Sequence, residues 1–129
     1  MGNAVPILLV EDEPLIALSL QDALENAGYG VNLVADGAAA TAFLETRDPE
    51  LAGVITDIQL GPGPSGWDIA RRARELNPQI PVVYTSGDSA HEHSIYGVPD
   101  SIMVQKPYAS SQIITALSTL LNTVRPPGH

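Results

Sequence analysis

The chain contains no cysteine, a single lysine (Lys106) and no long apolar run. Without cysteine it forms neither a disulfide framework nor a thiolate metal site. No run approaches the roughly 20 apolar residues that a membrane-spanning helix requires. The N-terminus also lacks the basic flank and apolar stretch of a secretory signal. We therefore expect a cytoplasmic protein without membrane insertion.

Basic residues are scarce relative to acidic ones. Six lysine and arginine residues stand against fifteen aspartate and glutamate residues, which gives a formal net charge of −9. Because nucleic-acid binding needs clustered basic side chains against phosphates, the composition disfavours a nucleic-acid partner. Arg71, Arg72 and Arg74 form the one basic cluster, next to Asp68 and Glu75. We interpret it as a solvated helix face; the alternative is a docking patch for an acidic partner.

The chain length suits one domain. Its 129 residues suffice for a hydrophobic core. We assign residues 1–124 to this domain and residues 125–129 to a disordered tail or the start of a linker. Strand-like and helix-like stretches alternate five times, which predicts a parallel sheet covered on both faces. The expected fold class is α/β, with five helices and a flavodoxin-like, doubly wound, five-stranded parallel sheet in the order 2-1-3-4-5.

Apolar periodicity places the individual elements. Strands are predicted at 6–10, 30–34, 53–56, 81–85 and 101–105, and helices at 14–27, 37–46, 67–76, 88–98 and from 110 onward. The first helix is expected to bury Ile16, Leu20, Ala23, Leu24 and Ala27, and the last to bury Ile113, Leu117, Leu120, Leu121 and Val124. The stretch 88–98 is polar and weakly patterned, so its helix should be short. His91 and His93 within it are interpreted as solvated loop residues.

Charged residues follow three of the apolar runs. Glu11 and Asp12 follow the first run, Asp57 the third and Lys106 the fifth. Ligand chemistry gathers at the carboxyl ends of the strands in an open parallel sheet. Strands one and three are neighbours in the predicted order, so Asp12 and Asp57 share a cleft with Ser86 and Lys106. Carboxylates together with one ammonium suit a divalent metal ion and a phosphoryl group.

These residues together resemble the receiver domain of bacterial two-component response regulators. The resemblance rests on four segments in order, Val10-Glu11-Asp12-Glu13-Pro14, Asp57, Ser86-Gly87 and Lys106-Pro107-Tyr108. It covers nearly the whole chain, from about Pro6 to Val124. In that family an aspartate accepts a phosphoryl group from the phosphohistidine of a sensor histidine kinase or phosphotransfer protein.

The resemblance implies a role for each site residue. Asp57 is the phosphoacceptor, and Lys106 is the cation that pairs with the phosphoryl group. The implied cofactor is Mg²⁺. Its implied ligands are Asp12, Asp57 and the backbone carbonyl of Gln59, with Glu11 acting through water. The hydroxyl of Ser86 is expected to contact the phosphoryl oxygens.

The resemblance also implies a conformational switch, and this sequence departs from it mainly at one position, with Ser86 in place of the commoner threonine as a mild variation. The expected switch residues are Ser86 and the residue three before the lysine, which is usually aromatic. Here that residue is Met103. The candidates to report activation instead are Tyr84, Tyr96 and Tyr108, or none of them.

The expected function is that of a phosphoacceptor switch, not an enzyme that turns over other substrates. The alternative is a receiver-like scaffold that is not regulated by phosphorylation. A phosphatase of the haloacid-dehalogenase kind is disfavoured, because Gln59 stands where that chemistry needs a second aspartate. An FMN-binding flavodoxin is disfavoured because acids replace its phosphate loop. The downstream partner, and whether the chain forms a homodimer, are left open by the sequence.

Overall fold

A computed structural model describes residues 4–46, 50–88 and 90–123. The domain boundary predicted at residue 124, the tail at 125–129 and the predicted burial of Val124 lie outside these residues. The strands are β1 (Val5–Val10), β2 (Tyr29–Val34), β3 (Gly53–Asp57), β4 (Val82–Ser86) and β5 (Ile102–Gln105). The helices are α1 (Pro14–Asn26), α2 (Gly37–Thr46), α3 (Gly66–Leu76), α4 (His93–Tyr96) and α5 (Ser110–Thr123).

The strands form one parallel sheet in the order β2-β1-β3-β4-β5. The predicted fold class and strand order are thus confirmed. β3 and β4 are buried along their whole length, as expected of central strands covered on both faces. Side chains alternate between two cores, one beneath α2 and α3 and the other beneath α1 and α5. None of the described helices is long and apolar enough to cross a membrane.

The buried face of α1 differs from the predicted one. Its fully buried residues are Ala17, Leu20 and Leu24, whereas Ile16 and Ala23 are half-buried and Ala27 is exposed. Ala27 follows the last helical residue and caps the helix end. The prediction for Ile16 was wrong because apolar residues occur on several sides of this helix, so periodicity alone does not fix which side packs inward. On α5, Ile113, Leu117 and Leu120 are buried as predicted, whereas Leu121 is half-buried.

Helix α3 begins at Gly66, one residue earlier than predicted, because Ser65 caps it. The Asp68 amide donates to Ser65 Oγ at 3.3 Å, and the Ser65 amide donates to Asp68 Oδ2 at 3.0 Å. This capping box satisfies amides that a helix N-terminus otherwise leaves unpaired. A Cβ on Gly66 would lie 2.2 Å from the Asp57 carbonyl oxygen. Glycine is therefore needed where α3 packs against the end of β3.

The short helix predicted within 88–98 is present, and it covers only part of that range. A 3₁₀ turn at Ala90–Glu92 leads into α4, a single turn of four residues. His93 is not a solvated loop residue, since its ring centroid lies 5.7 Å from that of Tyr84 and its Nε2 lies 2.8 Å from Ser101 Oγ. This segment is therefore joined to β4 and to the start of β5 by side chains.

The basic cluster on α3 is paired within the molecule. Arg72 binds Glu45 of α2 through two hydrogen bonds, and Arg71 contacts Asp68 at 2.7 Å. Arg74 donates to two backbone carbonyls at 2.7 and 2.6 Å. Arg71 is exposed, and Arg72 and Arg74 are half-buried. The interpretation as a solvated helix face therefore holds for Arg71 and in part for the other two, and the docking patch stays a prediction.

Candidate functional site

Four strand ends enclose a cleft at one edge of the sheet. The register pairs Val10 of β1 with Thr56, Asp57 of β3 with Thr85, and Ser86 of β4 with Gln105. The segments that follow these pairs surround a volume of about 410 Å³. The lining residues are Asp12, Glu13, Asp57, Gln59, Gly87, Asp88 and Lys106.

Three carboxyl groups converge on this cleft. One oxygen from each of Glu11, Asp12 and Asp57 lies within 4.8 Å of the others. Asp12 is exposed, whereas the exposed fractions of Glu11 and Asp57 are only 3% and 7%. Three like charges at this separation repel one another, more strongly near low-dielectric walls than in water. The arrangement therefore favours a cation.

Lys106 supplies one positive charge from the end of β5. Its Nζ lies 3.0 Å from Asp57 Oδ2 and 3.6 Å from Glu11 Oε1. Its backbone amide donates a 2.7 Å hydrogen bond to the carbonyl of Ser86. The chain's only lysine is therefore held by its main chain to β4 and by its side chain to two acids. One ammonium against three carboxyl groups leaves the cleft negative.

Burial opposes ionisation of the two inner carboxyl groups. It raises the pKa of Asp57 above the ordinary 3.8, and the hydrogen bond and charge of Lys106 only partly offset this effect. Burial also raises the pKa of Glu11, against a hydrogen bond from the Glu13 amide. For Lys106, burial acts to lower the pKa, but the hydrogen bond and charge of Asp57 and the charge of Glu11 outweigh it, and the pKa is raised. Both acids are thus poised to gain from a bound cation.

The structure separates the two expected switch residues from the cleft itself. Ser86 is buried, with an exposed fraction of 1%, and does not line the cleft. Its Oγ accepts a hydrogen bond from the Asp88 amide at 3.2 Å. Met103 is half-buried on β5, opposite Tyr84 of β4. Gln59 lines the cleft, as expected of a residue just beyond the end of β3.

Sequence reasoning missed residues around the cleft and behind it. Glu13 and Asp88 both line the cleft, and the signal was available, since each stands within two residues of a predicted site residue. Tyr108, which the sequence did name as a candidate to report activation, has a buried hydroxyl. Burial together with the charge of Glu11 raises its pKa to about 12. The contacts of Tyr84 with Trp67 and His93 could not be read from the sequence, because they join three separate elements.

Comparison with known families identifies the family of this fold. The model of the response regulator receiver domain matches residues 7–118. The chain belongs to this family. The resemblance stated from the sequence is therefore confirmed, and the cleft at the carboxyl edge of the sheet lies within the matched receiver domain.

Two transcriptional regulators are among the relatives of this receiver. The probable transcriptional regulatory protein TcrX of Mycobacterium tuberculosis is 31% identical over 122 residues, which are 93% of this chain and 51% of TcrX. The transcriptional regulatory protein CusR of Escherichia coli K12 is 33% identical over 118 residues, which are 89% of this chain and 50% of CusR. The chain thus spans about half the length of these two relatives.

Solved structures show the same architecture. A response regulator receiver protein from Sinorhizobium medicae has a TM-score of 0.89 at 46% identity, covering 93% of this chain and 96% of that one. The receiver domain of the sensor histidine kinase PA1611 from Pseudomonas aeruginosa, solved with a magnesium ion in its active-site cleft, has a TM-score of 0.77 at 22% identity, covering 93% of this chain and 99% of its own. At that identity the second comparison shows a shared fold.

Proposed function

We propose that this receiver accepts a phosphoryl group on Asp57 from the phosphohistidine of a histidine kinase or phosphotransfer protein. One observation carries the proposal. Asp57 is almost buried, yet it borders the cleft beside Asp12, with the Lys106 ammonium 3.0 Å from its Oδ2. A nucleophilic carboxylate flanked by further acids and one cation suits the transfer of an anionic group, which depends mainly on positioning and charge neutralisation.

The proposed step exchanges one bond at phosphorus for another. An oxygen of the Asp57 carboxylate attacks, an O–P bond forms, the P–N bond breaks, and its electron pair stays on the imidazole nitrogen. Lys106 offsets charge on the oxygens close to Asp57, since it already lies within hydrogen-bond distance. Water that attacks phosphorus afterwards returns Asp57 and inorganic phosphate. The chain thereby catalyses only its own phosphorylation and dephosphorylation.

The donor set of the cleft fits Mg²⁺. Glu11, Asp12 and Asp57 offer carboxylate oxygens within 4.8 Å of one another, and Gln59 borders the same cleft. Mg²⁺ is a hard ion that prefers one or two carboxylates with water and phosphate oxygens. Asp12, Asp57 and the Gln59 carbonyl would hold it, with Glu11 reached through water. When bound, the ion neutralises carboxylate and phosphoryl charge.

The proposed output is a change in a protein-interaction surface. Ser86 lies at the end of β4, next to the strand that carries Asp57. We expect its hydroxyl to reach the phosphoryl oxygens by movement of the end of β4 toward the cleft, because Ser86 is buried and its Oγ accepts a hydrogen bond from the Asp88 amide. Such movement biases a two-state equilibrium.

Intact-mass measurement tests the proposal directly. The protein is incubated with acetyl phosphate in the presence and absence of Mg²⁺, alongside Asp57→Asn and a control, Asp22→Asn, whose aspartate is exposed on α1. We expect one added phosphoryl group in the wild type and the control, dependent on Mg²⁺, and none in Asp57→Asn. Absence of an adduct in the wild type, together with failure to bind beryllofluoride, would favour a receiver-like scaffold that binds its partner without phosphorylation.

A further inference from the structure

Tyr84 occupies the centre of this receiver where an aromatic switch residue is missing from the neighbouring strand. Met103 of β5 is opposite Tyr84 of β4 in the sheet register. Tyr84 has no exposed surface, and Met103 packs against the same apolar core. The ring therefore lies one strand further inward than the position expected from the family pattern.

Tyr84 also belongs to the strand that carries Ser86. The two residues are two positions apart on β4, so their side chains project from the same face of the sheet. A shift of Ser86 toward a phosphoryl group on Asp57 requires the end of β4 to move. Because Tyr84 is packed without exposed surface, the groups that contact it must move with it or lose their contacts.

The contacts of Tyr84 lead to the segment between β4 and β5. Its hydroxyl accepts a 3.0 Å hydrogen bond from the Val98 amide. Its ring centroid lies 5.7 Å from that of His93. His93 in turn contacts Ser101 Oγ at 2.8 Å, and Ser101 Oγ donates to the Val98 carbonyl at 2.6 Å. Tyr84 thus joins β4 directly to His93 and Val98, and through them to Ser101.

The segment 90–98 has little structure of its own to hold it in place. α4 is a single helical turn, and so short a helix is not stable without tertiary contacts. Ile95 and Tyr96 are 71% and 48% exposed. The placement of the segment therefore depends strongly on Tyr84 and its partners.

We infer that Tyr84 couples the phosphoacceptor site to residues 90–98. On phosphorylation this segment changes its conformation, and the side chain at the switch position of β5 does not. This inference rests on the proposed function, because it needs a phosphoryl group on Asp57. It assigns a coupling role to the Tyr84 hydroxyl and ring, and none to the side chain of Met103 beyond packing.

Amide hydrogen exchange of residues 90–98, with and without Mg²⁺ and beryllofluoride, tests this coupling. Tyr84→Phe removes the hydroxyl and keeps the ring. Tyr29→Phe is the matched control, since it removes a hydroxyl that contacts Ser118 Oγ at 3.0 Å beneath the other face of the sheet. Met103→Leu tests the position on β5. Fluorescence of Trp67, the only tryptophan, whose ring centroid is 4.7 Å from that of Tyr84, gives a second readout.

We expect beryllofluoride to change exchange in residues 90–98 of the wild type, Tyr29→Phe and Met103→Leu. Tyr84→Phe should lose at least half of that change, and in the resting state its Val98 amide should exchange about 2–10-fold faster than in the wild type. A full change in Tyr84→Phe, or its loss in Met103→Leu, would overturn the inference.

Intact mass of the same proteins after acetyl phosphate treatment separates two kinds of failure. If the wild type takes up phosphoryl but residues 90–98 do not respond to beryllofluoride, the coupling is wrong and the proposed function stands. If the wild type takes up no phosphoryl and binds no beryllofluoride, the proposed function fails and this inference fails with it.

Discussion

The backbone amide of Lys106 donates a 2.7 Å hydrogen bond to the backbone carbonyl of Ser86. This bond joins the only lysine of the chain to the hydroxyl residue at the end of the adjacent strand. Lys106 Nζ also contacts Asp57. Movement of Ser86 toward Asp57 therefore displaces the main chain that carries the cation. The hydroxyl and the ammonium are expected to respond together.

We expect Lys106→Met to slow phosphorylation by acetyl phosphate at least tenfold, whereas Lys106→Arg should retain more of the rate. The substitution removes the cation 3.0 Å from Asp57. Two unit charges about 4 Å apart near a protein surface interact by about 4 kcal/mol. Without Lys106, the repulsion between the Asp57 carboxylate and the incoming phosphoryl group is therefore less well offset. Rates are followed by intact mass. Equal rates in the wild type and Lys106→Met would show that this contact contributes nothing to transfer.

Asp57 and Glu11 contribute a part of the stability of the metal-free protein that should be lost as pH rises through their raised pKa values. Burial raises the pKa values of Asp57 and Glu11 above the ordinary 3.8 and 4.5. Their folded carboxyl groups therefore bind protons more tightly than the unfolded ones. The resulting stabilisation is fully present below the ordinary values and is lost as pH rises through the raised ones. Other carboxyl groups with lowered pKa values, such as Asp68, act in the opposite sense.

A comparison with Asp57→Asn isolates this contribution. We expect Asp57→Asn in EDTA to unfold with a free energy about 0.5–2 kcal/mol higher than the wild type at pH 7. The difference should shrink as the pH is lowered, and Mg²⁺ should reduce it by stabilising the wild type. Urea denaturation at several pH values measures it. A difference that stays constant with pH would contradict the assigned effect of burial.

Gly66→Ala should distort the cleft, because it pushes helix α3 away from the end of β3. Its Cβ would lie 2.2 Å from the carbonyl oxygen of Asp57, so β3 and α3 must separate. We expect a loss of about 1–3 kcal/mol in the free energy of unfolding, together with weaker binding of Mg²⁺. Calorimetry and metal titration report the two effects. The control for stability alone is Gly87→Ala, since a Cβ at Gly87 meets no atom within 4 Å.

Gly87 should limit the lifetime of the phosphorylated form. It lines the cleft beside Asp57 and carries no side chain that covers the site. We expect fairly quick loss of the phosphoryl group from the wild type and a severalfold longer lifetime in Gly87→Ala, whose methyl group restricts the approach of water. Intact mass followed over time measures both. A wild-type half-life of many hours would show that Gly87 does not leave the phosphoryl group open to attack by water.

Ser65→Ala should weaken the helix that supports the loop after Asp57. Ser65 Oγ accepts the Asp68 amide of the capping box. Replacement of an N-cap serine by alanine costs about 0.5–2 kcal/mol. Urea denaturation should show this loss, and Ser65→Thr, which keeps the hydroxyl, should retain most of the stability. Similar losses in both variants would mean that the hydroxyl contributes little.

The fold was predictable because strand runs and strand-end residues are local signals. The runs before Asp12, Asp57 and Lys106 are apolar and short, and the alternation with helices restricts the order of the sheet. The buried face of α1 was only partly predictable, because Leu15 and Leu18 are at least as apolar as Ala17 and yet are 83% and 59% exposed. Which apolar side packs inward is decided by neighbouring elements.

The residues of the site were easier to predict from the sequence than the contacts that they and their neighbours make. Asp57 and Lys106 follow strands, and a parallel sheet brings such ends together. By contrast, the contact between Tyr84 and His93 joins two elements that are separate in sequence. The weak pattern of 88–98 predicted a short helix but not the bounds of α4. Tertiary contacts, rather than local propensity, fix that region.

A single lysine placed between two acids has a practical consequence for protein chemistry. Apart from the terminal amine, Lys106 is the only amine that an acylating reagent can modify. Its side chain is 20% exposed and paired with Asp57 and Glu11, and an amine reacts only when unprotonated. The extent of acylation at this one position therefore serves as a chemical probe of whether the cleft is occupied, without any introduced label.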